Sequence, residues 1–298
     1  MNNSPLISLI TINYNGLDLT CALLDSLAAN VSTPLEIIVV DNGSERDEAA
    51  VIEERYPYVK VIRSAENLGF AGGNNLGAAA ATGDFLFFIN NDTEILEDGL
   101  QAFADALASD PKAGMVCAKI RFYDGTRPIQ YAGYTEMKSI AMKNDMVGYM
   151  HEDDGSFDTP CETAFAHGCA MMIKREAFED VGPIPECYFL YFEEMDWSLS
   201  LRRRGWKILY SPALTVYHKE SATTGRESAL KTYYMTRSRL MFAYRNFSGA
   251  RRTLTLLYAR ILSGGKKIVT SLLHGRRDIA SAVLRAWRDF DKMKGELL

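Results

Sequence analysis

Over its first 120 residues the chain repeats one unit. A short apolar run rich in β-branched residues is followed by a polar turn, and then by a stretch in which apolar residues recur every three or four positions. The runs at 6–12, 35–40, 59–62 and 85–89 predict four strands, with a fifth near 115–117. Periodicity predicts helices over 17–29, 47–55 and 100–108, and an alanine-rich helix that ends near Gly83. Uninterrupted apolar strands alternating with amphipathic helices predict an α/β fold with a mostly parallel sheet covered on both faces.

Ligands of such sheets bind beyond the carboxyl ends of the strands. The first four strands all run into polar clusters: Asn13-Tyr14-Asn15-Gly16, Asp41-Asn42-Gly43-Ser44, the glycine-rich stretch 67–77, and Asn90-Asn91-Asp92-Thr93. One cluster is a turn; four delivered to one edge point to a ligand site. Gly69, Gly72, Gly73 and Gly77 do not spell GxGxxG and follow the third strand, which argues against a nicotinamide dinucleotide. They read as a loop whose backbone approaches a nucleotide before the next helix starts, with a plain tight turn as the other reading. Asp92, flanked by amide oxygens, is a hard oxygen ligand suited to Mg²⁺ or Mn²⁺ bridging two phosphates.

Beyond 118 the pattern loosens. Residues 119–163 mix short β-prone pieces with Gly, Asp and Met, and His151-Glu152-Asp153-Asp154-Gly155 reads as an exposed acidic turn, so a binding flap is expected there. A strand over 168–173 and a helix over 175–180 follow. Tyr191-Phe192-Glu193-Glu194-Met195-Asp196-Trp197 then sets three carboxylates within four residues, among aromatics. Arg202-Arg203-Arg204-Gly205 reads as the cationic last turn and C-cap of a helix, so the acidic stretch is its first turn. At helical spacing Glu193 and Asp196 share a face and Glu194 points elsewhere. A strand over 206–210 comes next, and His218 closes a β-prone run beside the polar segment 222–226, a place for metal or phosphate contact if the histidine is not simply structural.

A chain of 298 residues, 47% hydrophobic and 24% charged, accommodates one large α/β domain with an appendage. The net charge of −5 is unevenly spread: from Arg237 onward 14 Lys and Arg face 4 Asp and Glu, a balance of +10, so the rest carries −15. The expected organisation is a catalytic domain over 1–236, with halves 1–118 and 119–236, and a basic helical tail over 237–298. The tail's helical pieces, 254–262, 269–273 and 279–287, either pack as a bundle in a homo-oligomer or lie on an anionic membrane surface, and the second is favoured. Weak interleaving of aromatic and basic residues argues against nucleic acid. Cys21, Cys117, Cys161, Cys169 and Cys187 form no CxxC pair and read as reduced thiols. No run approaches the ~20 apolar residues of a membrane span and no signal pattern opens the chain, so the expectation is a cytoplasmic protein or one bound to a membrane only at its surface.

The motifs in this order resemble the family-2 glycosyltransferases of the GT-A type, most closely the bacterial rhamnosyltransferase-like enzymes. The resemblance spans about residues 6–245 and is carried by Thr11-Ile12-Asn13-Tyr14-Asn15, the clusters at 41–44, 67–74 and 90–93, the acidic stretch, His218 with Ser221, and Tyr233-Tyr234 with Arg237. It implies a GT-A, Rossmann-like fold, a nucleotide-diphosphate sugar donor, inversion at the anomeric carbon, and a glycan or lipid-linked acceptor. By position it implies nucleotide contacts at Thr11, Asn13, Asn15, Asp41, Asn67, Gly69, Asn74 and Asn91. It also implies a divalent cation (Mg or Mn) on Asp92 and His218, and Glu194 as the base that deprotonates the acceptor hydroxyl. Glu193 and Asp196 become orienting groups, Glu193 remaining the alternative base, and the aromatics become walls for a sugar ring. Asn90 stands where the family's DxD motif has its first Asp, and Glu194 where Asp is commonest. A sugar-1-phosphate nucleotidyltransferase and a non-catalytic sugar-binding protein are the competing classes; the first lacks its Gly- and Arg/Lys-bearing loop after the first strand, and intact Glu194, Asp92 and His218 argue against the second.

Overall fold

The structure is a computed structural model that describes residues 5–138, 140–219 and 228–297. Ser221 and the segment 222–226 lie outside the described residues. Strands β1 (Ile7–Asn13), β2 (Leu35–Asn42), β3 (Lys60–Ser64) and β4 (Phe85–Ile89) are parallel, in the order β3-β2-β1-β4. Helices α1 (Leu17–Asn30) and α2 (Glu48–Arg55) follow β1 and β2, and Asp47 caps α2 by accepting from the Ala50 amide at 3.1 Å. This half matches the sequence pattern closely, because each strand is a continuous apolar run with no competing helical period.

The glycine-rich stretch differs from expectation. Helix α3 (Gly69–Ala80) begins at its first glycine, so Gly72, Gly73 and Gly77 sit inside a helix instead of a loop. A Cβ on Gly77 would lie 2.5 Å from Ile10 Cγ2, and one on Gly73 would lie 2.8 Å from Ile12 Cδ1. The glycines therefore bring α3 down onto β1 and β2. Gly69, at φ +73°, serves another purpose: its Cβ would stand 2.3 Å from the Phe189 carbonyl oxygen.

The second half continues the same sheet with mixed directions. After β5 (Thr93–Ile95) and α4 (Leu100–Ser109), the long β6 (Ala113–Phe122) is separated from β4 by β9 (Ala170–Lys174), which runs antiparallel to both. β10 (Lys207–His218) is parallel to β6 and antiparallel to β5. The expected flap at 119–163 is partly core: β7 (Ile129–Tyr131) is wholly buried along β6, and β8 (Cys161–Glu162) edges β10. Nor is the turn at 151–155 simply exposed, since Asp153 pairs with the buried Lys119 at 2.9 Å and with Arg121 at 3.2 Å. Helix α5 (Arg175–Val181) leads to the acidic helix α6 (Glu193–Arg203), which ends at Gly205 with φ +90°.

Helix α7 (Ala229–Asn246) runs straight through 236/237, and Leu240, Met241 and Phe242 join Phe165, Tyr188, Phe192 and Met195 in a second apolar core. Three helical pieces follow without a break, α8 (Gly249–Leu257), a π-helical segment (Tyr258–Gly264) and α9 (Gly265–Leu273); α10 (Arg277–Met293) folds back along α7. The five cysteines form no disulfide, and burial pushes the Cys117 thiol up to about 12. Gly77→Ala is expected to destabilise the fold by about 1–3 kcal/mol through overpacking against Ile10, although alanine is the better helix former. Urea denaturation would measure it, and an unchanged midpoint would remove the close-approach role.

Candidate active site

At the carboxyl edge of the parallel strands a polar network ties the predicted nucleotide residues together. Asn13 donates to Asp41 at 3.0 Å and to Glu48 at 2.7 Å, and accepts from Thr20 at 2.7 Å, which in turn accepts from Asn91 at 3.0 Å. Asn15 is exposed; its amide donates to Ser44 at 2.9 Å and its side chain accepts from the Glu45 amide at 2.8 Å. Asn13 and Thr11 are fully buried; the Asn13 side chain is spent on Asp41, Glu48 and Thr20, whereas the Thr11 hydroxyl has no hydrogen-bond partner. Asn42 joins this edge to α3, accepting from the Leu68 amide at 3.0 Å and donating to Asn67 at 3.2 Å, while Asn67 accepts from the Gly69 amide at 2.9 Å. Asn74 is buried and spends its amide on the Phe70 carbonyl within α3. Glu48 and Asn42 carry this network, yet in the sequence they are one helical glutamate and one turn asparagine.

Asp92 immediately precedes β5, whose Thr93 is the antiparallel partner of His218 at the end of β10, and the Lys219 amide donates to the Asp92 carbonyl at 2.8 Å. The Asp92 Oδ1 and His218 Nε2 atoms are 3.2 Å apart and both side chains are buried. His218 Nδ1 lies 2.8 Å from Gln130 Oε1, which can only accept, so Nδ1 carries a proton. Nε2 then faces a carboxylate oxygen, and a proton or a cation between them satisfies both atoms. Burial alone would push the His218 imidazole down, but Cys169 and Asp92 hold it well above its ordinary value. The donor set, one carboxylate and one imidazole, fits a divalent cation whose other positions are filled by phosphate oxygens and water. Among the described residues no group of three or more His, Cys, Asp or Glu gathers around a metal position. Gln130 lies on β7, inside the segment expected to be a flap, and no sequence signal marks it.

The three carboxylates of α6 have three different environments. Asp196 is 2% exposed and fully engaged: Tyr188 donates to it at 2.8 Å, Arg245 at 2.7 Å and Asn246 at 2.8 Å. Its carboxylate holds α7 against α6 and does not face an acceptor. Glu193 is 3% exposed with Oε2 lacking a partner, and burial, with Glu194 beside it, pushes its pKa well above the ordinary range. Glu194 is half-buried, and desolvation by burial raises its carboxyl to about 7. The aromatics divide likewise. Trp197 packs edge-on against Phe88 and Phe178 and Phe192 lies on Phe242, so both are core and not walls for a sugar.

Residues 167–169 join the two sides. Gly168 packs against Phe70 and the Cβ of Glu194, while the next residue, Cys169, interacts with His218 and donates its amide to His167 Nδ1 at 3.2 Å. Two adjacent residues of one stretch thus lie beside the Cβ of Glu194 and beside His218. The loop before α6 is held in strained backbone, with Phe189, Tyr191 and Phe192 at φ +68°, +66° and +75°. Such residues cost about 1–3 kcal/mol each. The loop is clamped by the Phe70 amide on the Phe189 carbonyl at 2.8 Å, by Ser238 on the Leu190 carbonyl at 2.9 Å, and by Phe189 stacking on Tyr234.

The family model for glycosyl transferase family 2 matches residues 8–182. The chain belongs to this family. Among curated relatives of this glycosyltransferase, the N-acetylglucosaminyl-diphospho-decaprenol L-rhamnosyltransferase of Mycobacterium tuberculosis is 28% identical over 69% of this chain and 73% of its own length. A low-salt glycan biosynthesis hexosyltransferase of Haloferax volcanii is 23% identical over 97% and 92%. Of solved structures, GalNAc-T7 with UDP, GalNAc and Mn²⁺ superposes with a TM-score of 0.64 at 18% identity, covering 82% of this chain and 51% of that one. The mannosyltransferase of Pyrobaculum calidifontis with GDP-Man and Mn²⁺ gives 0.58 at 17%, covering 96% and 76%. The glycosyltransferase therefore has the GT-A fold, and the nucleotidyltransferase reading is set aside. Asp196→Ala is expected to cost about 3–5 kcal/mol by leaving Arg245 and its partners uncompensated; an unaltered urea midpoint would show that this contact is not structural.

Proposed function

We propose that this glycosyltransferase moves a hexosyl or rhamnosyl unit from a nucleotide-diphosphate sugar to a hydroxyl of a glycan or lipid-linked acceptor, with inversion, in the synthesis of a polysaccharide. The observation that carries this reading is the placement of Glu194: a half-buried carboxylate with its pKa raised to about 7, its Cβ beside Gly168, the residue next to the Cys169 that contacts His218. A sugar hydroxyl is a poor nucleophile, so a carboxylate must take its proton as the new bond forms. In a single displacement the acceptor proton goes to Glu194 and the acceptor oxygen bonds to the anomeric carbon. The bond from that carbon to the donor phosphate breaks, and its electron pair leaves with the diphosphate.

Asp92 and His218 would hold the divalent cation, with Gln130 fixing the imidazole; bound there, the cation offsets charge on the departing diphosphate. The names of the two solved relatives that include Mn²⁺ support a cation at this edge, and Mg²⁺ or Mn²⁺ both suit the donors. Asp41, Asn15, Asn67 and Gly69 frame the nucleotide side, with Thr11, Asn13, Asn74 and Asn91 supporting them from within. Glu193, buried and kept protonated, leaves Glu194 as the base and holds the pair to a single charge. Asp196 acts as an orienting group through α7. The mycobacterial relative, whose name specifies a lipid-diphosphate-linked acceptor, supports an acceptor of that class.

Glu194→Gln is expected to lower turnover by about 10²–10⁴-fold with donor binding unchanged, whereas Glu193→Gln should retain most activity; the reverse pattern would move the base to Glu193. Because Glu194 must be ionised to accept a proton, kcat/KM should fall as pH drops below about 7 and level off above it. A pH–rate profile lacking that acid limb would count against the assignment. Asp92→Ala should remove the dependence of donor binding on Mg²⁺ or Mn²⁺, measured by thermal shift with UDP-, dTDP- and GDP-sugars with and without EDTA. Unchanged metal dependence would overturn the cation site.

A further inference from the structure

The continuous helix formed by α8, the π segment and α9 is inside out. Its buried face is made of small residues: Thr255, Ala259, Gly264 and Ser271. Gly264 lets Trp287 of α10 approach so closely that a Cβ would meet its ring at 2.6 Å. The aliphatic residues face outward instead. Leu254, Leu257, Ile261, Leu262, Val269 and Leu273 are between 48% and 79% exposed. At helical spacing they fall on the side opposite the small residues, a row ~29 Å long at 1.5 Å per residue over 254–273. A surface helix ordinarily buries such residues, and a contiguous exposed row of them marks an interaction face.

The charge around the row identifies what covers it. From Ser228 through Arg277 the sequence has no Asp or Glu and 11 Lys and Arg. Among the described residues the tail ion pairs after α7 use Arg260, Arg276, Arg288 and Lys294, leaving Arg251, Lys266 and Lys267 exposed beside the row without a carboxylate partner. A second copy docking row to row would bring two cationic faces together. Elsewhere in the described body the exposed aliphatic side chains are spread along the chain: Val51, Val147 and Met150, with Leu230 and Met235 on α7. No described helix is long and apolar enough to cross a membrane. An anionic bilayer supplies both an apolar layer and negative headgroups, and a helix of this kind lies in its interface.

We propose that the outer face of 249–273 docks this glycosyltransferase onto an anionic lipid surface, with the aliphatic row in the headgroup–acyl boundary and Arg251, Lys266 and Lys267 on lipid phosphates. The proposal does not depend on the identity of the acceptor or the base. Flotation of the full-length protein tests it, using vesicles of phosphatidylglycerol and phosphatidylcholine in equal parts against phosphatidylcholine alone. Binding is expected only to the anionic vesicles and should weaken as salt is raised from 50 to 500 mM, as about 1 kcal/mol per basic residue would require. Ile261→Glu/Leu273→Glu and Lys266→Glu/Lys267→Glu should each reduce binding at least about tenfold, with melting temperature unchanged because all four side chains are exposed. Equal flotation of the variants, no binding to anionic vesicles, or a dimer in sedimentation that either variant dissolves would each overturn the proposal, the last by giving the face to a second copy.

Discussion

The burial of Asp196 constrains everything around the catalytic helix. A carboxylate removed from water must be paired and hydrogen-bonded, and this one is satisfied only when Tyr188, Arg245 and Asn246 converge on it. Those partners come from the turn before α6 and from the end of α7, so one buried charge fixes three pieces of chain at once. Glu193 and Glu194 inherit their positions from it. With α6 pinned at its first turn, Glu193 is buried and its neighbour Glu194 half-buried, and burial raises both carboxyls, Glu193 well above the ordinary range and Glu194 to about 7.

Strain and clamp are balanced in the same region. Three consecutive-range aromatics in left-handed backbone would relax if free, yet hydrogen bonds from α3 and α7 meet the loop from opposite sides. α7 is therefore part of the catalytic fold, continuous with the helices that carry the basic face. The expected division of body from tail at 236/237 falls in the middle of this one helix.

Much of this was legible in the chain, and the exceptions have physical causes. The four parallel strands and their polar ends were readable because a buried strand leaves an unbroken apolar run, as in Phe85–Ile89. The helical reading of α6 followed from its cationic end and Gly205. The glycines of α3 were not readable as helical: each costs about 1 kcal/mol against alanine in a helix, and only contact with Ile10 and Ile12 offsets that. β9 was readable as an apolar run, but β7 is three residues defined by pairing with β6, so local pattern says little of it, and Gln130 gains its meaning only once β7 delivers it to His218. The aromatics of the acidic stretch misled for a related reason, since composition cannot say which side of a helix is covered.

The contact between Gly69 and Phe189 has a further consequence. The two sides of the site, α3 with the nucleotide edge and the loop that leads to Glu194, are registered where a main-chain amide of one meets a main-chain carbonyl of the other, with a missing side chain making room. A seam made of backbone is indifferent to most substitutions beside it. On the proposed reaction, residues that select the donor and residues that select the acceptor can diverge independently, and new pairings of sugar and acceptor can evolve without moving Glu194, the proposed base, relative to the diphosphate.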